Sequence, residues 1–426
     1  MGNIVDYVRN EFRDFAELEF NEVDSLVFSE LAYMHAPQVV PRYGRARSVD
    51  TVPITMLLRA EDYPRMFDTG SERLNASRAD LLRAICESPR FRGLRVGEYV
   101  ERYDVGEEMQ FAAMTFDLGD CAGIGRARPA RSPKGSAVGD AVMNGLLYVA
   151  FRGTDGTLVG WKEDFNMAFR CPVPAQRNAM AYLESIIDRS AGFPGGHAPA
   201  VMVGGHSKGG NMAVYAATGI VQSDLDGIGE RARRLGLVPS PSAPVTGRSE
   251  RIGAVFSHDG PGLPQSTADT AAFHAIAGRI HKTVPESSII GMLLHTVNDY
   301  TVVISDETGI MQHMGLSWQV AEGARSGESG GFRTAETIGD PAAYIGRVVD
   351  AWLEAVPPER RRKVIDETYQ IFAAAGYDRF SELAANWSTA LPKILDAARG
   401  TDRETRTLLF DVLKTLSASA VRSLGA

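Results

Sequence analysis

The sequence predicts an α/β fold: a mostly parallel sheet flanked by helices and followed by a helical extension toward the C-terminal end. Three observations carry this. Strand-length apolar runs alternate with helical stretches between residues 110 and 304, as in chains whose helices cover both faces of one sheet. Within that region, Val201 to Ile220 passes from an apolar strand through a glycine-bounded turn into a helix. Beyond Pro341 the apolar spacing becomes helical throughout.

Taken in order, Asn21 is placed to cap a helix whose Val23, Leu26, Val27, Leu31 and Met34 share one face. Residues 40 to 105 read as short helical segments and loops, Arg78 to Cys86 among them; the chemistry there is limited to a role for Tyr33 or His35, and core packing is the preferred reading of both. Gln110 to Leu118 reads as a strand and Leu146 to Arg152 as a more buried one. The Gly-, Pro-, Ala- and Arg-rich stretch between them reads as a surface insertion. A helix from Arg177 to Ile187, with Met180, Leu183 and Ile187 on one side, leads toward the strand that begins at Val201. After a Pro/Ser-rich excursion at Gly236 to Ser249, strands are expected at Ile252 to Ser257, Arg279 to Val284 and Tyr300 to Ile304. The polar, glycine-rich run Gly323 to Gly331 reads as a linker. It divides a main domain, residues 1 to 330, from a helical region, residues 335 to 426. Helices are expected there at Ala342 to Glu354, Pro358 to Ala375, Arg379 to Ala398 and Asp402 to Leu424. Pro357-Pro358-Glu359 suits a helix start.

Composition narrows the function. With 44% hydrophobic and 23% charged residues the chain is an ordinary globular one. A net charge of -8 argues against an electrostatic nucleic-acid partner. Cys86, Cys121 and Cys171 are widely spaced and odd in number, so neither a disulfide framework nor a zinc spacing follows from them, and a reducing interior is the simplest setting. No metal and no cofactor are expected. The opening MGNIVDYVRNEFRDF lacks an apolar core of signal-peptide length, and no apolar run spans a bilayer. A cytoplasmic location, without a transmembrane segment, is the expectation.

The chemistry centres on Gly205-His206-Ser207-Lys208-Gly209, a GxSxG pentapeptide between strand and helix. In such a turn the serine takes a strained conformation and its hydroxyl stands clear at the carboxyl end of the sheet. The glycines are needed because a side chain at either would meet the neighbouring backbone. A phosphate loop is excluded, since Gly209-Gly210-Asn211 stands where Gly-Lys-Ser/Thr belongs. The Lys208 amide, at the helix N-terminus, points to where an oxyanion would form.

A serine hydroxyl needs a histidine base, oriented in turn by a carboxylate. On such an elbow the partners follow in the order serine, acid, histidine. Of the five histidines after Ser207 (His258, His274, His281, His295 and His313), His313 is placed best, in a loop after the last strand. Upstream, Phe151-Arg152-Gly153-Thr154-Asp155 ends a strand where an oxyanion loop belongs, so the amide and hydroxyl of Thr154 join the Lys208 amide as donors.

FRGTD, then Trp161 and Asp164, then GGHSKGGNMAVYAA resemble the class 3 lipases. Adding FNEVDSLVFSELAYM, SHDGPGL, VPESSIIGMLL and GIMQHMGLSWQV, the chain more closely resembles a lipase-related family of the α/β-hydrolase superfamily first described as a domain of unknown function, DUF2974. The resemblance covers about Glu19 to Val320. It implies a lipase-like α/β-hydrolase fold with Ser207 as nucleophile, Thr154 as oxyanion donor and His313, ahead of Trp318, as base. One departure concerns the acid. Class 3 lipases carry an aspartate just ahead of a Val-Pro step, and Val284-Pro285 here has none. Either Glu286 substitutes or the acid is Asp259, which opens an Asp-Gly-Pro-Gly turn directly after the Ile252 to Ser257 strand; Asp299 and Asp306 are weaker candidates. Asp259 is preferred because it starts at the same sheet edge as Ser207.

The expected function is therefore a serine esterase or lipase acting on a small-molecule or lipid ester through Ser207, His313 and Asp259. The alternative is a catalytically inactive relative of the same fold that serves as a binding module.

Overall fold

In the computed structural model the described residues are 2–68, 71–119, 145–191, 198–234, 247–294, 299–321, 331–339, 355–379, 382–383 and 386–399. Both expected insertions, the linker and the first and last of the C-terminal helices lie wholly or mostly outside them. Among the described residues one nine-stranded sheet runs in chain order. Its strands are β1 (Thr51–Pro53), β2 (Arg95–Asp104), β3 (Met109–Asp117), β4 (Leu146–Phe151), β5 (Ala200–His206), β6 (Ile252–His258), β7 (Ile280–Pro285), β8 (Thr301–Val303) and β9 (Thr334–Ala335). From β1 to β4 neighbours are antiparallel, from β4 to β8 parallel, and β9 returns antiparallel on β8. The parallel block is the centre of the sheet, so the strand ends that matter for chemistry share one edge.

The helices in chain order are α1 (Ile4–Asn10), α2 (Glu22–Leu31), α3 (Tyr63–Met66), α4 (Glu72–Glu87), α5 (Leu158–Asn166), α6 (Pro174–Ser190), α7 (Lys208–Arg234), α8 (Gln265–Ala268), α9 (Ala271–Ala277), α10 (Pro358–Ala373) and α11 (Trp387–Ala398). Asn21 caps α2 as its sequence implies: its side chain accepts the amides of Val23 and Asp24, and Asp24 reaches back to the Asn21 amide. Period-two alternation in β4 divides the molecule into layers. Leu146, Tyr148 and Ala150 join α1, α2 and α4 in one core, and Leu147, Val149 and Phe151 join α6, α7 and α9 in the other. A strand buried on both faces reads as the continuous apolar run LLYVAF.

The structure differs from the sequence expectation in residues 40 to 105, read as short helical segments and loops, which contribute the strands β1 and β2, and in the helix expected from Arg379, of which α11 begins at Trp387. The alternation of β2 is interrupted by a bulge between Gly97 and Val100, where Glu98 takes φ 53° and turns its carboxylate inward. That buried carboxylate accepts the Asp50 amide at 2.8 Å and is paired with Arg189. A charged side chain inside a strand is legible only once its partner, far along the chain, is known.

A third, smaller core joins Ile371 and Phe372 of α10 and Ala390 and Ile394 of α11 to Leu158 of α5. The Leu158 amide donates to the Asp378 carbonyl at 2.8 Å, and Lys162 pairs with Asp366 at 3.0 Å. Among the described residues, no helix is long and apolar enough to cross a membrane.

Candidate active site

Ser207 lies between the last residue of β5 and the first of α7, with φ 58°. That left-handed geometry is costly for a residue with a Cβ and persists only where the surroundings enforce it. Here they do. A Cβ on Gly205 would come 2.6 Å from the Phe151 carbonyl oxygen and collide with the Gly209 backbone, and one on Gly209 would strike the Phe151 carbonyl. β4, β5 and the start of α7 therefore pack closer than any side chain allows. The Ser207 amide donates to the His258 carbonyl at 2.8 Å, tying the elbow to the end of β6. As the first residue of α7, Lys208 has an amide with no intrahelical acceptor.

The Lys208 side chain runs the other way, into the protein. Fully buried, its ammonium donates to the Gln110 carbonyl and side-chain oxygens at 3.0 and 2.8 Å, and lies 3.1 Å from Glu163. Glu163 also accepts the amides of Gln110 and Ala175 at 3.0 and 2.8 Å. One buried ion pair thus joins β3, α5, α6 and the elbow. Sequence reasoning used only the Lys208 amide and missed this role.

At the end of β6, Asp259 has φ 48° and is fully buried. Its Oδ2 lies 2.6 Å from His313 Nδ1, while Oδ1 accepts the Ser288 hydroxyl and, at 3.1 Å, the Gly291 amide. Burial alone would raise this carboxyl's pKa, but the hydrogen bonds to His313 and the Ser288 hydroxyl hold it below its ordinary value. Among the described residues the hydrogen bonds of Glu286 are main-chain ones, its amide donating to Val303 and its carbonyl accepting from Gly339.

His313 closes a short turn, Gly309–His313, after β8. The turn is anchored by Trp318, fully buried, whose indole donates to the Gln312 carbonyl at 2.8 Å. The His313 ring centre is 4.7 Å from that of His206, the residue preceding Ser207. His258 is committed elsewhere, with Ser25 at 2.8 Å and Thr283 at 2.7 Å, and burial pushes its pKa down to about 3. His281 faces Glu22 at 3.6 Å near the start of β7, and His274 sits on α9.

The loop after β4 abuts the elbow, since a Cβ on Gly153 would come 2.6 Å from the His206 carbonyl oxygen. The next residue, Thr154, turns its hydroxyl to Asp164 of α5, donating to Oδ2. Among the described residues the other oxygen, Oδ1, has no hydrogen bond, and the Lys208 ammonium lies 3.8 Å from it. Burial raises Asp164 to about 6, against the opposing effects of Lys208 and the Thr154 bond. The expected hydroxyl donor is thus engaged by a carboxylate.

Ser207, His313, Asp259, Thr154 and Lys208 therefore gather at one edge of the sheet. Sequence reasoning did not find Ser288, and for Tyr33, which is buried, it preferred core packing to a role in the site. In the structure the Tyr33 hydroxyl lies 3.0 Å from His206 Nδ1, while His35 turns away to Glu101 at 2.8 Å. Among the described residues no group of three His, Cys, Asp or Glu side chains could hold a metal ion.

No curated protein matches the chain. Among solved structures, one described as the crystal structure of M37 lipase is similar at 13% identity and a TM-score of 0.35, over 64% of this chain and 70% of that one. A family model described as Mbeg1-like matches residues 85–370, about two thirds of the sequence. The chain belongs to the Mbeg1-like family, the lipase-like family also known as DUF2974.

Proposed function

We propose that the protein is a serine hydrolase of the lipase or esterase type, cleaving a carboxylic ester of a small molecule or lipid with Ser207, His313 and Asp259. The observation that carries this reading is the 2.6 Å contact between Asp259 and His313, formed beside a serine held at φ 58°. Asp259 accepts the Nδ1 proton of His313, which leaves Nε2 unprotonated and able to take the Ser207 proton as Oγ attacks the acyl carbonyl. The oxyanion is met by the Lys208 amide and by the amide of Thr154, whose hydroxyl anchors the loop to Asp164. His313 then protonates the departing alcohol. Water, deprotonated by the same ring, cleaves the acyl-enzyme and restores Ser207.

The test is labelling of the folded protein by a fluorophosphonate, followed by peptide mapping. Modification at Ser207, abolished together with hydrolysis of p-nitrophenyl esters in Ser207→Ala, is the expected result. A folded wild-type protein that neither labels nor hydrolyses would point instead to a binding module of the same fold.

A further inference from the structure

The residue before the nucleophile makes more contacts than packing requires. His206 is 3% exposed, and both of its ring nitrogens are engaged. Nε2 lies 2.6 Å from the carbonyl oxygen of His313, and Nδ1 lies 3.0 Å from the hydroxyl of Tyr33. A carbonyl can only accept, so Nε2 carries the hydrogen; in the neutral ring Nδ1 is then a lone pair and the Tyr33 hydroxyl donates to it. The ring is neutral because burial, aided by the neighbouring His313, pushes its pKa down to about 3.

Tyr33 is in turn fixed from behind. The Arg78 guanidinium sits 4.0 Å from the centre of its ring and pairs with Glu30 at 3.2 Å. Glu30 lies 3.8 Å from His206 Nδ1, completing the polar surroundings of that nitrogen. The same hydroxyl also abuts Gly153, where a Cβ would collide with it. One tyrosine oxygen thus borders the loop after β4 and, through one imidazole, reaches the main chain of His313.

We propose that Tyr33 and His206 are a positioning pair: Tyr33 fixes the tautomer of His206, and His206 Nε2–H holds the peptide carbonyl of His313 so that its ring stands in register with Ser207. The proposal rests on the reading of Ser207, His313 and Asp259 as the catalytic group. Asp259 fixes the ring of His313 at one nitrogen; the bond from His206 fixes the backbone from which that ring projects. Neither residue exchanges a proton with substrate. Their contribution is geometric, and displacement of a catalytic group by about 1 Å costs roughly a hundredfold in rate.

Three variants of the full chain separate this role from packing. His206→Phe keeps a ring of similar size and removes the donor; His206→Gln restores an N–H donor without the ring; Tyr33→Phe removes one oxygen. With p-nitrophenyl esters, His206→Phe is expected to lower kcat about a hundredfold with KM within about twofold of wild type. The fluorophosphonate labelling rate should fall in parallel. His206→Gln should recover about a tenth of wild-type turnover, and Tyr33→Phe should lose about tenfold. Rates equal to wild type in folded His206→Phe and Tyr33→Phe would overturn the proposal, as would a His206→Phe defect that tracks lost melting temperature and is not relieved in His206→Gln. Nitrogen-15 spectra of the histidine-labelled protein decide the structural half independently. His206 should read as the Nε2–H tautomer in wild type and lose that fixed state in Tyr33→Phe; an Nδ1–H form in wild type would refute the pair. If wild type showed no serine labelling, the catalytic reading would fall by itself, and the tautomer measurement would still confirm or refute the pair.

Discussion

Replacing Asp259 with asparagine tests the weakest assignment made from sequence. The side chain keeps its shape but offers one acceptor oxygen and one amide group. Ser288 and the Gly291 amide both donate to Oδ1, so the asparagine oxygen takes that place and its NH2 group faces His313 Nδ1, 2.6 Å from the present Oδ2. An NH2 group cannot accept the Nδ1 proton. His313 must then present Nδ1 as an acceptor and carry its hydrogen on Nε2, the nitrogen required to receive the Ser207 proton. The wrong tautomer in an intact triad costs on the order of ten-thousandfold in kcat, about 5.5 kcal/mol of transition-state stabilisation. The assay is steady-state hydrolysis of a p-nitrophenyl ester by Asp259→Asn and Glu286→Gln, with circular dichroism and melting temperature checked for each. Asp259→Asn should lose about four decades in kcat with KM nearly unchanged, and Glu286→Gln should match wild type. If Glu286→Gln loses activity while Asp259→Asn retains it, the reasoning fails.

Three further outcomes follow from the surrounding contacts. Thr154→Val removes the hydroxyl that anchors its loop to Asp164 but leaves the amide, so turnover should fall about ten- to a hundredfold through misplacement; unchanged turnover would show that the loop needs no such anchor. Asp164 is raised in the folded protein from an ordinary 3.8 to about 6, which at about 1.36 kcal/mol per pH unit costs about 3 kcal/mol of stability above pH 6. The folded state holds this proton more tightly than the unfolded chain, so the cost is relieved as pH falls from about 6 to about 4. Asp164→Asn should therefore stabilise the protein in urea at pH 8 and lose that advantage at pH 4; an equal effect at both values would refute the assignment. Lys208→Met leaves Glu163 buried without its cation and should cost about 3–5 kcal/mol in urea denaturation, most of it recovered by adding Glu163→Gln; a single variant as stable as wild type would show that the pair contributes nothing.

What could be read from the sequence was what is local. Gly205 and Gly209 announce the elbow because the pentapeptide itself is local, although much of the crowding they relieve comes from the Phe151 carbonyl at the end of β4. Thr154 and Asp259 are legible because each lies in the turn directly after its strand. His313 follows from chain order and from Trp318 nearby. The rest depends on residues that meet only after folding. Tyr33 and His206 are 173 positions apart, and nothing within SELAYM distinguishes that tyrosine from a core one. The Lys208 ammonium and Glu163 are adjacent only because α5 lies across the end of β3. The bulge in β2 hides a strand, since burying Glu98 is affordable only with Arg189, which α6 supplies.

Helix α5 gathers these long-range contacts. Consecutive residues on it serve three different neighbours. Lys162 faces outward to Asp366 at 3.0 Å and lies 4.6 Å from the ring centre of Tyr369, both on α10. Glu163 faces inward to Lys208 of the elbow at 3.1 Å, and Asp164 accepts from Thr154. Leu158, at the start of the helix, lies in the core that α10 and α11 form. One nine-residue helix therefore connects the C-terminal helices to the elbow through Glu163 and to the loop after β4 through Asp164. A helix held on both sides by buried or partly buried charge pairs has little freedom to shift, because moving it toward one partner would unpair a charge on the other side. By this argument the C-terminal helices brace the site's geometry through α5, which they contact directly.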